Sequence, residues 1–157
     1  MAGIELKYLF SNGCSFLSIR EKCFNHVGLE LANLYGLEPI SFGSNGRGND
    51  RVVLTTKLFF YENPERIKDT FVLIGWTNPG REDYISYHPS LGWSLWGESR
   101  PLIHAESLSW RTFKYDRKHL PSDYFPSANK IIKHLRETLE LQDFFKSQNI
   151  KYCMYHA

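Results

Sequence analysis

The architecture of this chain can be inferred from the run Thr70-Phe71-Val72-Leu73-Ile74-Gly75-Trp76-Thr77. Its apolar residues follow one another without the alternation that a strand exposed on one face would show. Continuous apolar strands are typical of parallel sheets, because helices cover both faces of such sheets. We therefore expect residues 69–77 to form a strand that is buried on both faces.

The segments on either side of this strand alternate between strand and helix patterns. On the N-terminal side we predict a strand over residues 5–11, a helix over 21–35, a strand over 38–42 and a helix over 51–61. Gly36 stands where a C-cap glycine would end the first helix, and Asn63-Pro64 would end the second. On the C-terminal side we predict a helix over residues 127–146, with Ser127 as its N-cap, and a strand over 150–155.

This order of elements predicts an α/β domain over residues 1–157, with a parallel sheet covered by helices on both faces. The fourth strand is the last element before the chain stops at Ala157. Residues 79–126, rich in aromatic residues, proline and glycine, are predicted to form a long insertion with room for short helices. A loop of this length in a compact domain is usually functional. The last helix is expected to bury the side formed by Ile131, Ile132, Leu135, Leu139, Phe144 and Phe145.

Composition narrows the classes of protein to consider. The net charge of +2 is too small to indicate a nucleic-acid partner, and the basic residues form no block. The chain has neither a signal-peptide pattern nor an apolar run of about 18 residues, so we expect a cytoplasmic protein without membrane contact. Its three cysteines are odd in number and scattered, which predicts reduced thiols. No metal-ligand spacing such as CxxC or HExxH occurs, so neither a metal nor another cofactor is predicted.

Three of the predicted strands end in polar turns that contain glycine, at residues 12–15, 43–50 and 75–78. In a parallel sheet these turns lie side by side, at the edge where ligand sites are found. They would bring together the hydroxyl of Ser15, several backbone amides, and the carboxamides of Asn45, Asn49 and Asn78. Acyl transfer needs this combination of a nucleophile and fixed donors for the oxygen that becomes negative.

In order and position, the three turns resemble the first three sequence blocks of SGNH/GDSL-type hydrolases, and most closely the SGNH-like proteins common in phages and marine bacteria. The resemblance covers roughly the first half of the chain and is carried by Gly13-Cys14-Ser15-Phe16, Gly46-Arg47-Gly48-Asn49-Asp50-Arg51-Val52 and Gly75-Trp76-Thr77-Asn78-Pro79-Gly80-Arg81. It implies a three-layer α/β/α fold with a flavodoxin-like parallel sheet. It also implies a serine esterase that acts on an ester such as an O-acetylated carbohydrate.

The resemblance assigns roles to individual residues. Ser15 would be the nucleophile, with its own backbone amide in the oxyanion hole. Gly46 would supply a second amide, and Asn78 would supply a side-chain donor. The third block can be aligned in two ways, and Thr77 takes the place of Asn78 in the second. Thr77 is therefore also a candidate for binding the substrate.

Two further residues are candidates for substrate binding, and each has a simpler interpretation. Asn49 would bind substrate or buttress its loop, and Arg81 would clamp substrate or belong to a solvated turn with its acidic neighbours. The turn at Ser15 could also be a plain strand-to-helix turn whose serine caps the helix. The loop over residues 43–50 lacks the endings typical of phosphate-binding loops.

The chain departs from the family pattern in its catalytic base. The family places an Asp-x-x-His block after a further strand, and this chain contains no Asp-x-x-His. Of its histidines, His26 and His134 fall on predicted helices and are expected at the surface or in packing, while His156 falls at the carboxyl end of the last strand. The remaining three lie in the insertion and are His88, His104 and His119.

Three explanations of function therefore remain open. The chain is an esterase whose base is supplied elsewhere, for example because it is a fragment that lacks the last block. Alternatively, it is a non-catalytic binding or structural module, associated with a virion if a phage encodes it, whose aromatic residues hold a glycan. A nucleotide-binding, flavodoxin-like domain is the third class, and a thermal shift with flavin or nucleotide would identify it. The oligomeric state is left open.

Overall fold

The computed structural model describes residues 5–13, 26–43, 48–79, 86–88, 92–94 and 128–156. Its elements are, in chain order, β1 (Tyr8–Gly13), α1 (Val27–Tyr35), β2 (Glu38–Ser41), α2 (Asn49–Glu62), a 3₁₀ turn (Pro64–Arg66), β3 (Thr70–Trp76), β4 (Ser86–His88), β5 (Gly92–Ser94), α3 (Ala128–Ser147) and β6 (Lys151–His156). Strands β4 and β5 pair as an antiparallel hairpin inside the predicted insertion. The other predicted features of the insertion lie outside the described residues.

Four of the strands form one parallel sheet in the order β2-β1-β3-β6. The predicted α/β class and the parallel sheet are therefore confirmed. The chain moves outward from β1 to β2 and then crosses back to β3, so the order reverses between β1 and β3. In open α/β sheets, such a reversal opens a crevice at the carboxyl ends of the two strands, and ligands bind there.

One face of the sheet carries the main hydrophobic core, where aromatic rings of β1 and α2 interlock. The ring of Phe10 lies 4.6 Å from Phe59, 5.6 Å from Phe60 and 5.2 Å from Phe42, measured between ring centroids. Phe145 of α3 belongs to the same cluster. The core thus fastens α2 and α3 to the central strands, which fixes the position of both helices relative to the sheet edge.

The opposite face of the sheet belongs to α1. Strand–helix–strand connections between parallel strands are right-handed, which puts α1 opposite α2 and α3 in this strand order. Ala32 of α1, Leu9 of β1 and Leu73 of β3 are all buried outside the main cluster. Gly36 ends α1 in the left-handed conformation, at φ 65°, as predicted for a C-cap glycine.

The first helix is shorter than predicted. The apolar repeat indicated a helix over residues 21–35, but His26 is extended and α1 begins at Val27. Residues 21–25 lie outside the described part of the chain. Periodicity locates the apolar side of a helix well and its first residue poorly, because apolar spacing carries no signal for the end of a helix.

The predicted orientation of the last helix was wrong in part. The buried residues of α3 are His134, Leu141 and Phe145, which follow one another at seven- and four-residue steps along one side. The aliphatic residues chosen from the sequence are exposed instead, and they are Ile131, Ile132, Leu135 and Leu139. Leu141 and Phe145 pack in the main core, and His134 on the same side has the hydrogen bond and ring contacts described below, so those four side chains face outward.

Two observations concern membrane-spanning helices and the state of the cysteines. Within the described residues, no helix is long and apolar enough to cross a membrane. Cys153 on β6 is a free, exposed thiol. The other two cysteines, Cys14 and Cys23, lie outside the described residues.

Candidate functional site at the carboxyl edge of the sheet

The candidate site lies where β1 and β3 end and α2 begins. The two strands run in register to the edge, with Gly13 opposite Gly75. On the far side of β3, Trp76 pairs with His156 of β6. Parallel pairing brings these carboxyl ends together, so the three polar turns predicted from the sequence leave the sheet from one edge.

A buried amide fixes the start of α2 against β1. Asn12, the penultimate residue of β1, donates through Nδ2 to the hydroxyl oxygens of Thr55 at 2.8 Å and Thr56 at 2.9 Å, and to the carbonyl of Val52 at 3.2 Å. Its side chain is fully buried. Because an amide N–H removed from water must find an acceptor, this cluster specifies which part of α2 lies on β1.

A second buried amide joins α2 to the turn after β3. The backbone N–H of Thr77 donates to Asn49 Oδ1 at 3.0 Å, and Asn49 Nδ2 donates to the Thr77 carbonyl at 3.1 Å. This pair of bonds satisfies both backbone groups of Thr77 at the point where β3 has ended. The observed bonds of Asn49 join α2 to the turn after β3, and its two predicted roles, buttressing its own loop and binding substrate, stay predictions.

The same amide determines the tautomer of His134, that is, which ring nitrogen carries the proton. Asn49 Oδ1 must accept from the Thr77 N–H, so the atom that faces His134 Nδ1 at 3.1 Å is the donor Nδ2. His134 Nδ1 is therefore an acceptor, and the neutral ring carries its proton on Nε2. In this arrangement neither nitrogen of His134 has a lone pair free to take a proton or bind a metal.

Three rings meet beneath α3 at this edge. His134 packs edge-on against Trp76 and against His156, with 5.2 Å between ring centroids in both pairs. Burial lowers the pKa of His134 below its ordinary value, and the nearby His156 lowers it further. The donor Nδ2 of Asn49 acts in the same direction, because a second proton on the ring would point at it.

We expect this lowered pKa to make stability depend on pH. Unfolded His134 takes a proton near its ordinary pKa of 6.5, and folded His134 resists it. The contribution of His134 to the free energy of unfolding should therefore be complete above about pH 6.5. It should be lost progressively as the pH drops below that value. Urea denaturation at about pH 7.5 and about pH 5 measures this slope.

The replacement His134→Gln should flatten the pH dependence. His156→Gln is the matched control, because it removes only the weaker of the two causes and should change the slope less. An unchanged slope in His134→Gln would show that His134 does not resist protonation in the folded protein.

The predicted site residues divide into described and undescribed positions. Asn49 and Thr77 are buried and bonded to each other, and Asn78 is exposed beside them. Ser15, Gly46 and Arg81 lie outside the described residues, as do His104 and His119. Within the described part of the chain, no three His, Cys, Asp or Glu side chains group as metal ligands would.

The pairing of His134 with Asn49 was not predicted from the sequence. His26 and His134 were expected on helices, at the surface or in packing; both are buried, and His26 is extended just before α1. His156 lies at the carboxyl end of β6, as predicted. The available signal was spacing, because His134 shares a helix side with Leu141 and Phe145.

Comparison with known proteins gives no match: no family model, no curated protein and no solved structure is significantly similar to this chain.

Proposed function

We propose that this chain is a serine esterase of the SGNH type, acting on an ester such as an O-acetylated carbohydrate. In this proposal Ser15 attacks the acyl carbon, and the acyl group passes to its oxygen as the alcohol leaves. Water then hydrolyses the acyl-enzyme. The backbone amides of Ser15 and Gly46, with the side chain of Asn78, stabilise the oxyanion.

The observation that carries the proposal is the position of the β1–β3 crevice. Gly13 ends β1 at the reversal of strand order, and Ser15 follows it two positions later in the sequence. The loop that contains Gly46 enters α2 at the same edge, where Asn49 holds the turn after β3. A nucleophile and its donors need this kind of convergence from different strands.

The environment of the turn after β3 supports Asn78 over Thr77 as the side-chain donor. Thr77 is buried and its backbone groups bond to Asn49, whereas the side chain of Asn78 is exposed at the edge. The exposed position of Asn78 at the carboxyl edge lets its side chain face a substrate, whereas Thr77 is buried against Asn49. Arg81 remains a proposed substrate contact.

The base that activates Ser15 is not His134 in this proposal, because Asn49 occupies its Nδ1 and its Nε2 carries the proton. His156 is exposed at the carboxyl end of β6, two strands from β1. The absence of Asp-x-x-His from the sequence is the specific observation in favour of the second candidate function, a non-catalytic module that binds a glycan.

Covalent labelling distinguishes the two functions. A fluorophosphonate reacts with a serine whose hydroxyl is activated, so the purified chain should gain one adduct, on the peptide that contains Ser15. Ser15→Ala should gain none. A chain that stays unlabelled while binding acetylated or plain oligosaccharides would favour the non-catalytic module.

A further inference from the structure

Two buried N–H donors on touching rings have no acceptor among the described residues. One is Nε1 of Trp76, the last residue of β3, and the other is Nε2 of His134 on α3. Both side chains are nearly inaccessible, at 1% and 4% exposure. A buried indole N–H usually has a hydrogen-bond partner, and leaving a buried donor unpaired costs about 1–3 kcal/mol.

The contact with Asn49 fixes His134 Nε2 as a hydrogen-bond donor. A histidine can ordinarily present either a proton or a lone pair at Nε2, depending on its tautomer. Here the amide of Asn49 donates to Nδ1, which leaves the proton on Nε2. The indole of Trp76 can only donate. Both nitrogens therefore require an acceptor, and neither can serve as a base or a metal ligand.

We propose that Trp76 Nε1–H and His134 Nε2–H form a binding site for one oxygen atom of a ligand. The site lies beneath α3 at the carboxyl edge, beside the contact of His134 with His156. It stands on these two side chains and does not require that Ser15 reacts. Its location on the same edge as the proposed esterase site makes an acyl substituent the natural ligand.

The chemistry of the two donors selects a neutral oxygen acceptor. Both donors are uncharged and buried among aromatic rings, and a buried anion without a cationic partner costs far more than a neutral carbonyl. Of the nearby charged residues, Lys133 pairs with Asp50 and with Glu137. The ligand class is therefore a carbonyl oxygen of an ester or amide, and phosphate and metal cations are disfavoured.

The test uses acetamide as a neutral carbonyl probe and inorganic phosphate as an anionic probe. The ¹⁵N-labelled full chain is titrated with each, and the indole N–H of Trp76 and the Nε2–H of His134 are followed by NMR. Trp76→Phe assigns the indole signal, and triple-resonance assignment replaces it if that variant does not fold. Acetamide should move both signals downfield along one saturating curve, and phosphate should move neither.

Two variants test the proposed oxygen-binding site further. His134→Phe keeps a ring but removes one donor, so it should weaken the acetamide response of Trp76 at least several-fold. Ser15→Ala should leave both responses unchanged, which separates this site from the proposed catalysis. The proposal fails if acetamide moves neither signal or only one of them, if phosphate moves both, or if a bound water that acetamide does not displace occupies the donors.

Discussion

Replacing Ser15 by alanine is expected to lower hydrolysis of p-nitrophenyl acetate by about 10³- to 10⁶-fold in kcat/KM. In the proposed mechanism the Ser15 hydroxyl oxygen forms the acyl-enzyme, so its removal eliminates the covalent intermediate. Residual hydrolysis above the rate in water would come from the oxyanion donors, which remain in place. Initial rates on purified, folded protein provide the measurement.

The neighbouring thiol offers the matched control for this experiment. Cys14→Ala changes the adjacent residue in the same turn and should retain most of the activity. If Cys14→Ala is inactive and Ser15→Ala is active, Cys14 is the nucleophile. Equal rates for the unmodified chain and Ser15→Ala would overturn the proposed mechanism.

The sheet could be predicted from the sequence because burial of a strand on both faces requires a local pattern of residues. A strand covered on both faces must be apolar at successive positions, and β3 is buried over nearly its whole length. The end of α1 could be predicted in the same way, because a left-handed helix end favours glycine and Gly36 stands there. These features depend on neighbours in the sequence, so a short window of residues is enough to find them.

The side of α3 that faces the sheet could not be predicted in the same way. The helix offers two apolar stripes, and counting apolar residues favours the one that contains Leu135 and Leu139. Those side chains are 55% and 57% exposed, while His134 is buried. The buried side is defined by the core contacts of Leu141 and Phe145 and by the bond between His134 and Asn49, which are 85 residues apart and share no local pattern.

The same reasoning applies to the candidate site. The three polar turns could be located at one edge because each follows a recognisable strand. The amides that hold α2 at that edge, Asn12 and Asn49, form contacts over 28 to 85 residues of sequence with α2, the turn after β3 and α3. Asn49 was predicted as a site residue, but its hydrogen bonds to Thr77 could not be predicted, because they join residues 28 positions apart.

Replacing Phe10 by alanine is expected to destabilise the fold by about 3–5 kcal/mol. Its ring is fully buried in β1 and lies 4.6 Å from Phe59, the closest of its aromatic neighbours by centroid distance. Removing it deletes the transfer energy of the ring and leaves a cavity that rigid strands on either side cannot close. Against a typical stability of about 5–15 kcal/mol, this loss is a large fraction of the total.

Urea denaturation followed by circular dichroism measures the loss, and two further variants locate its cause. Tyr61→Ala deletes a ring of similar size that is 84% exposed on α2, so it should change stability by less than about 0.5 kcal/mol. Phe10→Leu leaves a smaller cavity, and its loss of stability should fall between those of the other two variants.

Because β1 leads from Phe10 to Asn12 and then to the crevice, Phe10→Ala should also loosen α2 at the sheet edge. This loosening would be seen as faster amide hydrogen exchange at Val52 and Thr56. A loss in Phe10→Ala no greater than in Tyr61→Ala would contradict the packing of β1 against α2, on which the position of the candidate site depends.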